Sequence, residues 1–329
     1  MNRRGAVRMK VVDFHCDALS KLVEKPAALF EDGSGAQLDV TLQSMNQGNI
    51  ALQVFAVFLS ENKGKPQFER VMAQLDVFRK RLVGSGDIAW LKWRDQVEQI
   101  TSGGKRWGML SLEGLDGLEG NLFYVQLCYD LGVRFMGLTW NHANWAADGV
   151  MEKRGAGLTD KGRQFVELSQ RLGIILDVSH LSPSGFWELA EITERPFIAS
   201  HSNAYSVCPH PRNLSDEQIR AIAALDGLIG LTFVPWFIRQ NTRPVKPEDL
   251  LPHIEKICSL GGEHHLMFGS DFDGIDQWVE GLESPGCYPR LIELLLKHYP
   301  EYLVRGWTSG NALAFLEKHL PQRPSSEDM

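Results

Sequence analysis

Eight short apolar runs, most of them followed by a stretch of helical periodicity, constrain this chain more than any other feature. They fall at 11–17, 50–59, 107–113, 133–141, 174–180, 197–201, 228–234 and 266–271. Their length and β-branched content are those of buried parallel strands. Apolar spacing between them predicts helices over 68–82, 121–131, 159–172, 183–193, 215–225, 247–260 and 288–297. Three of these begin on residues suited to satisfy a helix's free N–H groups, Thr159-Asp160, Ser182-Pro183 and Ser215-Asp216-Glu217. Eight strand–helix units within 329 residues predict an α/β fold, a closed (β/α)8 TIM barrel with insertions. An open doubly wound sheet would bring a glycine-rich phosphate loop after its first strand, whereas here that strand ends in His15-Cys16-Asp17. No linker, repeat or charge run divides the chain. One catalytic domain over 1–329 is expected, with a short N-terminal extension and a polar tail from Pro321.

Composition removes several function classes. Hydrophobic residues at 43% and charged residues at 23% supply a core and argue against disorder. The longest apolar stretches fall short of the roughly 18 residues a membrane helix needs. Met1-Asn-Arg-Arg leads into Asp13, His15 and Asp17 rather than an apolar leader core, so a cytoplasmic protein without membrane partners is expected. A net charge of -7 without a Lys/Arg block gives no footprint for nucleic acid. Five scattered cysteines without a Cys-x-x-Cys pair read as reduced thiols.

The strand ends carry the chemistry. They read His15-Cys-Asp17, Leu112-Glu113-Gly114, Asp177-Val-Ser-His180, Ser200-His201-Ser202 and Ser270-Asp271-Phe-Asp273. In a parallel barrel these ends meet at one rim, where active sites are built. His15 and Asp17, two residues apart, share a side of their strand, and Cys16 between them points away into packing. Three imidazole or carboxylate groups suffice for one zinc, so five or six at one mouth suggest two ions sharing a carboxylate. His253, His298 and His319 lie on expected helices or near the chain end and read as solvated, while His142 and His210 fall in rim loops.

These residues resemble the membrane (renal-type) dipeptidases and their bacterial soluble relatives. The resemblance is carried by Asp13-Phe-His15-Cys-Asp17, Ser111-Leu-Glu113-Gly, Leu176-Asp-Val-Ser-His180-Leu-Ser, Ser200-His201-Ser-Asn-Ala-Tyr-Ser-Val-Cys208, Arg212-Asn213-Leu and Gly269-Ser-Asp271-Phe-Asp273-Gly. It continues through Glu280-Gly-Leu-Glu283 and Gly310-Asn311-Ala-Leu, in family order across nearly the whole chain. The resemblance implies two zinc ions, one held by His15, Asp17 and Glu113, the other by Glu113, His180 and His201. It further implies that Arg212 binds the substrate carboxylate, that Asp271 carries a proton, and that the protein is a homodimer. One departure stands out: the family's Thr-His after strand four is here Thr139-Trp140-Asn141-His142, with Trp140 in the aligned position. His142, two residues on, would share its face if the strand continued, so both Trp140 and His142 are candidates for contact with substrate.

Hydrolysis of dipeptides, including those with a D-residue at the C-terminal position, is therefore expected. A second reading is another binuclear amidohydrolase on the same barrel, such as a deaminase, lactonase or phosphotriesterase relative. Those often carry His-x-His on strand one and a lysine after strand four; this chain has His15-Cys-Asp17 and no lysine from Gly132 to Asn144. A third, a binding barrel without catalysis, would be expected to have lost ligands, and here every expected ligand position is filled.

Overall fold

The computed structural model describes residues 9–35, 37–240 and 244–324. The N-terminal extension (1–8) and the end of the polar tail (325–329) lie outside the described residues. The strands are β1 (Val11–Asp13), β2 (Ile50–Phe58), β3 (Ile88–Trp90), β4 (Arg106–Glu113), β5 (Val133–Gly137), β6 (Ile175–Asp177), β7 (Ile198–Ala199), β8 (Leu228–Leu231) and β9 (Leu266–Phe268). They hydrogen-bond in the order β2-β1-β9-β8-β7-β6-β5-β4, and a β2–β4 ladder closes the ring. This is the expected eight-stranded parallel barrel. β3 was not expected: its three residues pair with Arg106 to Gly108 at the start of β4, on the edge that β5 takes over from Leu110.

The barrel strands stop earlier than the apolar runs. β1 ends at Asp13, β6 at Asp177, β7 at Ala199 and β9 at Phe268. Side chains take over from the ladder there. Asp13 Oδ1 accepts from Ser270 N (3.0 Å) and His15 N (3.2 Å), and Asp177 Oδ1 accepts from Ser200 N (2.9 Å) and Ser179 N (3.0 Å). The chain is thus held at the rim while the residues beyond it turn into the mouth. The helix starts follow the sequence: Thr159, Ser182 and Ser215 accept from the N–H groups of Gly162, Gly185 and Gln218.

Two apolar layers support this frame. Inside the barrel, Val12, Leu52, Met109, Phe135, Ile175, Ile198, Leu228 and Met267 contribute one layer, closed below by Phe315 and Leu316 of the C-terminal helix Asn311–His319. The second layer lies between strands and surrounding helices. Two residues up from the inner layer on β5 to β9, the positions of like parity become small or polar: Gly137, Asp177, Ser200, Gly230 and Gly269. That change opens the space the site occupies.

Candidate metal centre

Glu113, the last residue of β4, is the hinge of the site. Its Oε1 lies 2.8 Å from His180 Nε2 and 3.6 Å from His201 Nε2, while its Oε2 lies 3.5 Å from His15 Nε2. His15 Nε2 is also 3.4 Å from Asp17 Oδ2 and 3.7 Å from Asp271 Oδ1. Five strand ends thus deliver six ligand-capable side chains to one cup. Ligand atoms of His15, Glu113 and His201 fall within 4.8 Å of one another, as do those of His15, Asp17 and Asp271.

Two of the three imidazoles are oriented from behind. Asn141 Oδ1 accepts from His180 Nδ1 at 2.8 Å. His201 Nδ1 donates to Ser200 Oγ at 2.8 Å, and Ser200 Oγ donates in turn to Asp177 Oδ2. Both tautomers then turn an Nε2 lone pair inward. Asp13, which holds the backbone of His15 and Ser270, is itself fixed by Tyr288 Oη at 2.8 Å. His180 (φ 71°) and Asp271 (φ 67°) adopt left-handed backbone, a conformation costing a non-glycine residue about 1–2 kcal/mol. The rim supports that strain at two residues whose side chains face the cup.

The cup is electrostatically incomplete without a cation. His180 Nε2 and His201 Nε2 face each other at 2.9 Å. His15 Nε2 and Asp17 Oδ1 are buried without a hydrogen-bond partner. Burial, with Arg212 nearby, pushes His180 down to about 3, and burial, His15 and Arg212 hold His201 well below its ordinary range. Both imidazoles are therefore neutral at pH 7, the state in which they can offer a lone pair to a cation. Burial alone would lower His15 and raise Glu113; the attraction between them outweighs it, so His15 lies well above its usual value and Glu113 below the carboxylate range. Burial, together with Asp17 and Glu113, raises Asp271 well above that range. Three carboxylates and three imidazoles converging on partnerless atoms fit divalent cations with nitrogen and oxygen ligands. Gly274 is part of the fit, because a Cβ there would lie 2.3 Å from Asp271 Oδ1 and 2.4 Å from Asp17 Oδ2.

A cavity of about 540 Å³ opens over the cup, large enough for a small ligand. Asp17, Glu113, His180 and Asp271 form its base, and Trp140, Asn141, His210, Arg212, Trp236 and Phe237 stand among its walls. Arg212 is 4% exposed; its Nη2 donates to His201 O at 3.2 Å, and its buried Nε has no partner. In the aromatic group after β8, Trp236 and Phe237 line the cavity while Phe233 is wholly buried.

Three expectations need correction. β5 ends at Gly137, so strand alternation does not carry to His142, whose exposed ring pairs with Glu61 Oε2 at 2.7 Å and is absent from the cavity lining. Asn141, given no role by the sequence, turns inward instead and holds His180. His253 is not solvated: it is fully buried, with Nδ1 accepting from Ala204 N (3.1 Å) and Nε2 donating to Ile238 O (3.0 Å). His319 is half-buried against Phe315. Cys16 is buried in the outer layer, as expected.

The model of the membrane dipeptidase family, peptidase family M19, matches residues 2–324. The chain is 34% identical over 306 residues to dipeptidase aclJ of Aspergillus oryzae, covering 88% of this chain and 72% of that protein. It is 27% identical over 270 residues to dipeptidase tcpJ of Claviceps purpurea, covering 78% of this chain and spanning 64% of that protein's length. Among solved structures, a metallopeptidase from Rhodobacter sphaeroides, liganded with a phosphinate mimic of L-Ala-D-Ala, superposes with a TM-score of 0.87 at 27% identity, covering 95% of this chain and 99% of that one. A dipeptidase of family M19 superposes at 0.88 with 28% identity and the same coverage. A match over nearly every residue, on a barrel whose rim gathers side chains able to hold metal, leaves one conclusion: the chain belongs to the membrane dipeptidase family of metallopeptidases.

Proposed function

We propose that this protein hydrolyses dipeptides, including those with a D-residue at the C-terminal position, at two zinc ions bridged by Glu113. One observation carries the reading: the two oxygens of Glu113 face different ligand sets, Oε1 toward His180 and His201, Oε2 toward His15. His15 and Asp17 would complete one ion's shell, and His180 and His201 the other's. Divalent ions in such a cup supply Lewis acidity and lower the pKa of water there toward about 7.

The chain's own residues account for the rest of the reaction. Arg212, buried beside His201 with an unused Nε, would bind the free carboxylate of a short substrate. That contact would direct cleavage to the last peptide bond of a substrate, which in a dipeptide is the sole one. Asp271, beside His15 at the cavity base, would take the proton of the attacking water and return it to the departing amine. Trp140 stands on the wall next to His180, ring centroids 5.9 Å apart, and would confine the substrate rather than hold its carbonyl.

The five cysteines are unpaired, which suits the reducing cytoplasm. Among the described residues no helix is long and apolar enough to cross a membrane. A homodimer belongs to the same reading, and sedimentation measures it directly. The decisive experiment is a panel of L-L and L-D dipeptides, assayed on metal-stripped protein before and after zinc is restored. Hydrolysis that appears only with metal is expected; turnover by metal-free protein, or none of any dipeptide with zinc bound, refutes the reading.

A further inference from the structure

We propose that Arg70 makes this cavity selective for dipeptides whose N-terminal residue carries a carboxylate side chain. The inference rests on the dipeptide reading above and adds the substrate class.

Topology sets the direction of the substrate. Around the closed ring, four steps separate β2 from β7, so their following loops stand on opposite sides of the mouth. Arg212 follows β7, and Arg70 opens the helix Phe68–Val77 that follows β2. Both line the same cavity, with Glu113, His180 and Asp271 at its base between them. A dipeptide whose C-terminal carboxylate lies on Arg212 places its scissile bond over that base. Its N-terminal residue then faces the β2 wall, built of Phe58, Leu59, Ser60, Lys63, Arg70 and Gln74.

The charges on that wall are unequally matched. Lys63 is ion-paired with Glu24, which lines the same cavity, so the two largely cancel. Glu61 beside them is engaged by His142 at 2.7 Å. Arg70 pairs with no carboxylate among the described residues. Its Nη1 donates to Gly64 O (3.2 Å) and Lys65 O (3.1 Å), which anchors the guanidinium on the loop, while Nε and Nη2 have no acceptor among the described residues. An anchored, half-buried arginine with two unused donors facing a cavity is the group that recognises a carboxylate with two parallel hydrogen bonds. The rival role, a clamp that only shapes the 60–66 loop, uses the same Nη1 contacts but predicts no discrimination by side-chain charge.

The test compares isosteres on the full-length zinc-loaded enzyme: Glu-Ala against Gln-Ala, and Asp-Ala against Asn-Ala. The wild type is expected to favour each acidic member by about tenfold in kcat/KM, the scale of one charge-assisted pair at a partly solvated site. That ratio should fall toward one in Arg70→Gln, recover in part in Arg70→Lys, and shrink as salt rises from about 0.05 to 0.5 M. A ratio near one in the wild type overturns the proposal. So does a ratio that survives Arg70→Gln while all dipeptides slow together, the mark of a loop clamp. In either case the dipeptide reading stands, because it is decided separately, by metal dependence and by hydrolysis across the panel of L-L and L-D dipeptides.

Discussion

The two rims of this barrel are both rich in buried polar groups, and they satisfy them in opposite ways. At the rim where strands begin, cations are bound to backbone carbonyls. Arg134 donates to the carbonyls of Lys92 (2.6 Å), Tyr129 (2.7 Å) and Val133 (2.9 Å) and lies between the rings of Trp93 and Tyr129. Arg94 holds Leu320 O and Lys318 O, and Arg195 holds His319 O and Gln170 O, so these side chains tie the C-terminal helix to the barrel floor. At the other rim, carboxylates and imidazoles point at one another, and His15 Nε2, Asp17 Oδ1 and Arg212 Nε have no partner. Burying an unpaired polar atom costs about 1–3 kcal/mol, so several at one point mark a place kept for something from outside. Arg134 Nη2 also lacks a hydrogen-bond partner, as do Trp90 Nε1, Trp107 Nε1 and His319 Nε2, but among the described residues none of these belongs to a cluster of carboxylates and imidazoles that could hold an ion, and aromatic rings cover the Arg134 guanidinium. Convergence, more than burial, separates a site from a brace.

The strongest way to break this contrast is to remove the carboxylate proposed to be shared between the two ligand sets. Glu113→Gln keeps the shape of the residue and removes its charge, and kcat/KM should fall by about a thousandfold or more while bound metal falls with it. Elemental analysis that finds the variant fully loaded would show that Glu113 does not hold the ions together. A matched pair of arginine variants then sharpens the contrast. Arg212→Met should raise KM for dipeptides about 10- to 100-fold at unchanged metal content, because only the substrate's carboxylate loses a partner. Arg134→Met should leave KM alone and lower stability by about 2–4 kcal/mol in a denaturant melt, since three carbonyls lose their donor. If the two phenotypes were exchanged, the functional reading of the rims would be wrong.

A smaller effect tests the groups behind the ligands. Asp177→Asn breaks the relay through Ser200 that fixes the His201 tautomer, and zinc affinity should weaken about tenfold in a chelator competition. An unchanged affinity would assign Asp177 to the backbone alone, where its Oδ1 already holds Ser179 N and Ser200 N.

What the sequence reveals follows the same division. The eight barrel strands are legible because each must be buried on both faces, which writes a continuous apolar run. The candidate ligands are legible because polar residues that close such runs need a reason to be there. β3 is not legible, since three residues carry no period. Strand parity also fails at the rim: Val12 and Phe14 point into the barrel, and His15 nonetheless joins them on the inner side because the ladder has ended at Asp13. The left-handed turns at His180 and Asp271, and the inward swing of Asn141 in place of His142, arise from hydrogen bonds between loops that no local pattern encodes. His253 was legible and misread: Leu250, His253, Ile254 and Ile257 are spaced as one buried helical stripe.

His253 gives the smallest effect and the cleanest control for the contrast, being a buried histidine with both nitrogens satisfied. Its Nδ1 accepts from Ala204 N, so a proton there would set two donors against each other, and burial lowers its pKa below the usual value. The folded protein therefore binds fewer protons at this position than the unfolded chain. Its contribution is fully present above about pH 6.5 and is lost as pH falls through the depressed folded value, by at most about 1.4 kcal/mol per pH unit. The histidines of the candidate metal centre add an acid sensitivity of their own, which only a difference measurement removes. His253→Gln supplies an acceptor for Ala204 N and a donor for Ile238 O without titrating. At equal zinc loading its melting temperature should fall less steeply than the wild type's between pH 7 and pH 5. Parallel slopes would mean that His253 takes up its proton at the same pH in the folded protein as in the unfolded chain, so that burial does not depress it, and that the acid sensitivity of this fold arises elsewhere.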